Sequence, residues 1–322
     1  MVRFLIRRIA LGILVLLLVT IVVFGIFFVG GNQQVVAARL AGRNATQKTI
    51  DMIKVRLHLN QPIYVQYWDF LKQLVWHHNL GYSYYHSQPV STVLKQAFPI
   101  TLSLAIGAAI LWLTLGILSG VLSAVRRGTF LDRAITAIAL FFYSMPTFVL
   151  GLLLLFLVSY QLQKRGIRIF PGQGYVPLTQ SPVKWFESLV LPWLTLALVS
   201  AAAYTRLTRN TLLEVLGEDY IRTARAKGLA ERRVIFRHGL RSALTPVASQ
   251  FGIDVGTLVG GAIVTETVFG LPGLGYTAVN AIVNGDLPVV IGIVIIASTA
   301  VVVANILVDI VYAILDPRVR LH

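Results

Sequence analysis

Runs of apolar residues alternate with short polar breaks along this chain. Ile9 to Val29, Pro99 to about Val125, a run ending near Tyr160, Ser188 to about Tyr204, a run opening at Thr245-Pro246 and a last one from Pro288 to about Leu315 recur through it. Each approaches the roughly 20 residues that cross a bilayer as a helix. The pattern predicts an all-α integral membrane protein with six transmembrane helices. The first run follows the basic start Met1-Val-Arg3-Phe-Leu-Ile-Arg7-Arg8. It exceeds the roughly 7–15 apolar residues of a cleavable signal, so residues 1–29 read as a cytoplasmic N-terminus and an uncleaved first span. Asp132 and Arg133 lead into the third run, which contains Ser144-Met145-Pro146, and proline inside a helix predicts a kink there.

Residues 30–97 break the pattern. They mix polar residues with Tyr64, Tyr67, Trp68, Trp76, Tyr82, Tyr84 and Tyr85. Helical character over Val35 to Leu59, and again from Ile63 to Val75 behind Pro62, predicts a small extracytoplasmic cap. Gln161 to Glu187, with Pro171, Gly172, Gly174, Pro177 and Pro182, reads as an irregular outer loop. The remaining 98–322 form a five-helix core. Its one long polar interruption, 206–245, carries Arg206, Arg209, Arg222, Arg225, Lys227, Arg232, Arg233, Arg237 and Arg241. Short basic loops between spans stay in the cytoplasm, which also places both termini there, with Asp316-Pro317-Arg318 closing the chain.

Composition supports this picture: 56% of residues are hydrophobic and only 13% charged, far from soluble usage. The net charge of +15 reads as contact with anionic lipid and as the inside bias of the loops, and no nucleic acid partner is expected. With no cysteine, neither disulfides nor thiolate–metal chemistry hold the fold.

No constellation for catalysis stands out, so no enzyme is predicted. His58, His77, His78 and His86 fall in the 30–97 segment without a His-Glu-x-x-His spacing, and the adjacent His77 and His78 would point to different helix faces, so no metal is expected. Gly42-Arg-Asn-Ala-Thr-Gln47-Lys48-Thr49 misses a phosphate-binding loop, because Gln47 stands where its second glycine belongs. Asp254, Glu266 and Asp309 are ionisable groups within spans, which are functional candidates by default. Asp254 lines a pore or joins an internal ion pair. Glu266 is a functional group or caps and braces the outer turn, and Asp309 is read as sitting at the cytoplasmic end of its helix. Gly252, Gly256 and Gly260, at steps of four, form a stripe for close helix packing.

In the polar interruption, Ile221, Ala224 and Gly228 share a narrow small-residue face. A second helix from Glu231 sets Phe236, Leu240 and Leu244 on one stripe and Arg233, Arg237 and Arg241 on another. Such a helix lies on the membrane surface or forms part of a docking element.

Asp219-Tyr220 followed by Arg222-Thr223-Ala224-Arg225-Ala226-Lys227-Gly228 resembles the "EAA" loop of ABC importer permeases. Together with Arg7-Arg8, Thr265-Glu266-Thr267-Val268-Phe269, Pro272-Gly273-Leu274-Gly275, Asp286-Leu-Pro288 and Asp316-Pro317-Arg318, it is similar to the B-type subunit of bacterial dipeptide and oligopeptide importers. The loop departs from the generic motif at Arg222-Thr223, a feature of the peptide branch. The resemblance implies a type I importer fold in the bacterial inner membrane and a pore shared with a second homologous permease. It further implies one or two cytoplasmic ATP-binding subunits that carry ATP and Mg, with no cofactor on this chain, and an extracytoplasmic binding protein that delivers substrate. Arg222 through Gly228, with Leu229, would contact the ATPase, with Thr223, Ala224 and Gly228 in its groove. A nickel importer of the same architecture is the nearest alternative. A proton-coupled secondary transporter and an intramembrane enzyme are the others.

Overall fold

The computed structural model describes residues 2–29, 33–41, 46–56, 58–167 and 170–315; side chains are described for all of these except 2–5, 33, 39, 56, 255–257, 259–261 and 311–315. The elements in chain order are α1 (Val2–Phe24, continued by a π-helical turn over Gly25–Val29), α2 (Gln33–Ala41), α3 (Gln47–Arg56), α4 (Ile63–Val75), β1 (Tyr82–Ser83), β2 (Gln88–Pro89) and α5 (Val90–Val125). Then come α6 (Phe130–Tyr143), α7 (Thr147–Leu154), a π-helical turn over Leu155–Tyr160, α8 (Gln161–Lys164), α9 (Pro182–Val215) and α10 (Asp219–Ala226). The chain continues with α11 (Glu231–Arg233), a π-helical turn over Val234–Gly239, α12 (Leu240–Phe269), α13 (Leu274–Asn284) and α14 (Leu287–Leu315). Among the described residues five helical stretches are long and apolar enough to cross a membrane: Ile6–Val29, Val90–Val125, Thr147–Lys164, Pro182–Val215 and Leu287–Ile310. Helix α12 has 30 residues, also sufficient in length at 1.5 Å per residue. The closing Asp316-Pro317-Arg318, and the phosphate-loop near miss at 42–45, lie outside the described residues.

Three prolines stand elsewhere than the sequence predicts. Pro99 does not open its helix but lies inside α5, which begins at Val90 directly after the β1–β2 hairpin. Pro246 is likewise interior to α12 rather than at its first turn, so the helix from Glu231 runs without interruption into the apolar segment. Pro146, expected to kink one continuous span, ends it: α6 stops at Tyr143, and Pro146 takes φ −59°, ψ 136° before α7 starts. Proline removes only one hydrogen bond, which neighbouring helices in a membrane protein can offset. At Pro99 and Pro246 the helix runs through, whereas Ser144 still has helical dihedrals and Pro146 itself turns to ψ 136°, which separates α6 from α7.

The chain forms two compact units. The first comprises Met1–Thr101 and Pro272–Ile306. Helices α2 and α3, too polar for lipid, are held by Val36, Ala37, Leu40 and Ile53 packed on Val23, Ile291 and Ile295. Each larger aliphatic side chain buried this way is worth about 1.5–3 kcal/mol in water. The predicted single helical region Val35 to Leu59 is thus two helices, while α4 begins directly after Pro62. Val90, Val93, Leu94 and Ala97 of α5 pack on Leu274 and Ala281 of α13 and on Val289 and Ile293 of α14. Gly292 permits that approach, since a Cβ there would stand 2.6 Å from Val90. Helix α13 is absent from the sequence reading.

The second unit comprises Leu102–Leu271 and Leu307–His322. Its centre is the seam between α5 and α9. A Cβ at Gly107 would overlap the Trp193 ring at 2.1 Å, one at Gly116 would lie 2.5 Å from the Tyr204 Cβ, and one at Gly120 2.7 Å from the Thr205 carbonyl. The Trp193 indole donates to the Ser103 carbonyl at 3.0 Å, and the Ser119 and Thr205 hydroxyls are 2.7 Å apart. Small residues with interhelical hydrogen bonds are what holds helices together where lipid supplies no hydrophobic drive. Of the predicted stripe, Gly252 does face a neighbour, Val308, at 3.0 Å from its built Cβ. The surroundings of Gly256 and Gly260 lie outside the described residues.

Candidate functional site

Helix α10 presents two faces of different character. Ile221, fully buried, and Ala224, 8% exposed, pack with Val234 against Val215, Leu216 and Leu229. Arg222, Thr223, Arg225, Ala226, Lys227 and Gly228 are exposed. Two of the predicted contact residues, Ala224 and Leu229, are therefore directed at the chain's own core, because i, i+3 spacing with Ile221 places Ala224 on the inner stripe. The helix ends in a Schellman motif. Leu229 N–H donates to the Ala224 carbonyl at 3.4 Å and Gly228 N–H to the Arg225 carbonyl at 2.9 Å, with Gly228 at φ +74°. Glycine is needed for that conformation, not for close packing, since nothing lies within 4 Å of a Cβ built there.

The following loop is closed by a fork. Arg225 Nε and an Nη nitrogen donate to the two carboxylate oxygens of Glu231 at 3.1 and 2.7 Å. The hydrogen-bonded guanidinium holds the Glu231 carboxyl below its usual range, and the carboxylate raises Arg225. Their side chains are 41% and 54% exposed, so the pair is worth at most about 1 kcal/mol. It defines the path of the chain from α10 into α11. Tyr220 donates to the Ser242 hydroxyl at 3.1 Å, a second tie between α10 and the helix that follows. On that helix the buried stripe is Val234, Ile235, Gly239, Ala243 and Val247, while Phe236 is exposed. The predicted Phe236–Leu240–Leu244 stripe is thus displaced, because the π-helical turn over Val234–Gly239 shifts the helical phase.

A feature not anticipated from sequence lies where α6 meets α9. Asp132 is buried; it accepts from the Ser123 hydroxyl at 2.5 Å, the Gly128 N–H at 2.9 Å and Arg209 in a fork at 2.8 and 2.9 Å. Thr129 caps α6 by accepting from the Asp132 N–H. The capping threonine with an acid three residues on was the one local signal, but the partner stands 77 positions away.

On another side of α9 the second unit has a cavity of about 510 Å³. Tyr143, Ser200, Tyr204, Gln250, Asp254 and Trp112 are among its walls. The Asp254 carboxylate accepts from the Tyr204 hydroxyl and the Gln250 amide, each at 2.9 Å. Asp254 is one of the residues lining this cavity. Arg206, just beyond, lies over the Tyr143 ring at 5.9 Å.

Glu266 is fully buried, one turn before Gly270 ends α12 at φ +60°. Leu271 N–H donates to the Glu266 carbonyl at 2.9 Å, a second Schellman end. Pro272 is exposed, and Gly273 is the residue at the head of α13, whose Leu274 N–H donates to the Thr101 hydroxyl at 2.7 Å. Glu266 belongs to the second unit, Pro272 and Gly273 to the first. Asp309 is half-buried within α14, six residues before its end.

Residues 113–321 match the family described as binding-protein-dependent transport system inner membrane component, and residues 1–105 match the N-terminal region of such membrane components. The chain is 39% identical over 280 residues to the di/tripeptide transport system permease protein DppB of Pseudomonas aeruginosa, covering 82% of this chain and 83% of that one. It is 36% identical over 344 residues to the dipeptide transport system permease protein DppB of Escherichia coli, covering 99% of both. The fold is similar to a chain of the MetNI methionine ABC transporter in an inward-facing conformation, with a TM-score of 0.53 at 21% identity over 70% of this chain and 96% of that chain. With its apolar helices, its seam of small residues and a family match over most of its length, the chain belongs to the binding-protein-dependent transport system inner membrane components.

Proposed function

We propose that this chain is the permease subunit of an ATP-driven importer of short peptides in the bacterial inner membrane. It is a transport subunit and not itself an enzyme: ATP and Mg belong to partner chains. It crosses the membrane six times, α12 included, with both termini cytoplasmic, and it forms half of a pore with a second homologous permease. One or two cytoplasmic ATP-binding subunits and an extracytoplasmic substrate-binding protein complete the system. Glu266 and the Pro272-Gly273 turn stand near the outer gate, and Asp254 lines the pore. The names of the relatives support the substrate class.

The observation that carries the coupling role is the division of α10. Its inner face is anchored by Ile221 and Ala224, while Thr223, Ala226 and Lys227 are presented outward. The Schellman end and the Arg225–Glu231 fork tie it to α11, and through it to α12. A push on the outer face is then delivered to a helix that continues into the membrane, the kind of two-state element that ATP binding can bias. Ala226→Trp adds bulk only on the outer face. Uptake of a radiolabelled dipeptide by cells carrying the whole importer should fall at least ~10-fold, as for a central interface position, with the chain still inserted at normal abundance. Unchanged uptake would remove α10 from the coupling role. The topology is tested with single cysteines placed at Lys48, Lys184 and Lys227 and an impermeant thiol reagent. Labelling of the Lys227→Cys variant alone in intact cells would invert the assignment.

A further inference from the structure

We propose that α4 lies in the outer leaflet of the bilayer, with Tyr64, Trp68, Lys72 and Trp76 forming a stripe that binds phospholipid at the level of its headgroups. This rests on the topology proposed above, and it places in lipid a helix that its sequence assigns to the extracytoplasmic cap.

The depth follows from what α4 packs against. The Tyr67 and Thr20 hydroxyls are 3.1 Å apart, the Tyr67 and Phe70 rings stand 5.3 and 5.9 Å from that of Phe24, and Phe70 reaches Phe28 at 5.8 Å. These partners belong to Ile6–Val29, a stretch long and apolar enough to cross a membrane. Counted from Arg8 at the helical rise, Thr20, Phe24 and Phe28 stand ~18, ~24 and ~30 Å along that span, against a hydrocarbon thickness of about 30 Å. Over the same depth α1 packs antiparallel on the apolar α14: a Cβ at Gly12 would lie 2.8 Å from Val302, and Val23 clusters with Ile291 and Ile295. Helix α4 therefore crosses the first span in its last third, below the level of a cap in water. With 13 residues it is too short to cross the bilayer itself, so it stays within one leaflet.

The exposed side of α4 has the chemistry of that level. Tyr64, Trp68, Lys72 and Trp76 recur at steps of four and so share one side of the helix. The three aromatic residues are 75%, 57% and 67% exposed, and Lys72 is exposed with them. Tryptophan and tyrosine settle at the membrane–water interface, and a lysine stem lies along apolar surface while its ammonium reaches the phosphates. The outer part of the span beside them exposes Ile21, Val22, Ile26 and Val29, so the stripe adjoins apolar surface. Other polar groups of α4 have partners within the chain. The Gln66 amide donates to the Leu59 and Gln61 carbonyls at 3.1 and 2.7 Å, Tyr67 is tied to Thr20, and Asp69 faces His58 at 3.3 Å. Such pairing is what a helix needs where water is scarce. A soluble protein docked on the stripe is the competing occupant, and a helix seated beside Phe24 is too deep for it.

The test uses the complete complex in nanodiscs of phosphatidylethanolamine and phosphatidylglycerol, without the soluble binding protein and with its partner chains freed of cysteine; this chain has none of its own. A bimane fluorophore is attached to Tyr64→Cys, Trp68→Cys or Trp76→Cys. Each should lose most of its emission to phospholipid carrying a nitroxide near the headgroup, less to phospholipid carrying it at the acyl-chain end, and little to aqueous iodide. A label on Lys227→Cys should be quenched by iodide and spared by both lipids. Iodide quenching of the stripe as strong as at Lys227→Cys overturns the proposal. So does a label that no quencher reaches, which would give the stripe to a partner chain. All three positions are exposed, so a variant that fails to assemble leaves two that report. Depth does not depend on which side faces out, so failure there sinks only the lipid contact. Labelling of Lys227→Cys alone by an impermeant reagent in intact cells sinks the topology, and with it the assignment to the outer leaflet.

Discussion

One side of α9 is closed and another is open, and the two are built from interleaved residues. Toward α5, Tyr204 Cβ, Thr205 and Thr208 lie so close that glycine is required opposite them at 116 and 120, and Arg209 is forked onto the buried Asp132. Toward α12, Ser200, Ala203 and Leu207 leave a cavity, and the acid across it is fixed by Tyr204 and Gln250. Both sides hold a carboxylate inside the bundle. Asp132 is matched by a guanidinium in a close-packed seam, whereas Asp254 accepts from the Tyr204 hydroxyl and the Gln250 amide at the edge of a cavity. The contrast teaches that what surrounds an acid within a membrane protein, a close-packed seam or the edge of a cavity, is not given by its presence there.

Breaking the closed side should cost most. Asp132→Ala leaves Arg209 without its carboxylate, and loss of one partner of a buried pair costs about 3–5 kcal/mol. Thermal denaturation of the purified complex should show a large drop, and an unchanged midpoint would mean that the fork is not a brace. Gly120→Leu comes next. Its Cβ meets a backbone carbonyl, which cannot rotate away, and overpacking of this kind costs about 1–3 kcal/mol; the same melting assay reads it. Thr208→Val should move the other way. The Thr208 hydroxyl is buried without a hydrogen-bond partner, so an isosteric methyl should raise stability by up to about 1 kcal/mol. The smallest perturbation only sharpens the contrast. In this cysteine-free chain, a thiol introduced as Ser200→Cys should react with a small maleimide in the folded complex while Thr208→Cys stays protected. Equal labelling would erase the distinction between the two sides.

The apolar runs were legible because a bilayer demands about 20 of them in a row, a requirement that acts residue by residue. The α10 stop at Gly228 was legible for a related reason: a left-handed residue after a helix is local, and glycine announces it. The prolines misled. Pro99, Pro146 and Pro246 carry the same local penalty, yet only Pro146 breaks its helix. Neighbouring helices that relieve the missing bond are not visible in a single stretch of chain. The glycine stripes show the same limit. Gly116 and Gly120 are spaced as Gly252 and Gly256 are, and nothing in the spacing says that Gly116 and Gly120 meet α9 backbone and side chains while Gly252 meets Val308.

By itself, then, the sequence determined what each segment can tolerate: lipid or water, helix or turn, a charged surface on the polar interruption, and a family motif at its centre. Tertiary structure alone decided which side of each helix meets what. It turned Ala224 inward and Ala226 outward, joined Asp132 to Arg209 across 77 positions, and set Trp112, Tyr204 and Asp254 around one cavity. The physical reason is range. Burial preference, capping and helix phase act over a few residues, whereas ion pairs, packing seams and cavities depend on segments that only the folded chain brings within a few ångströms.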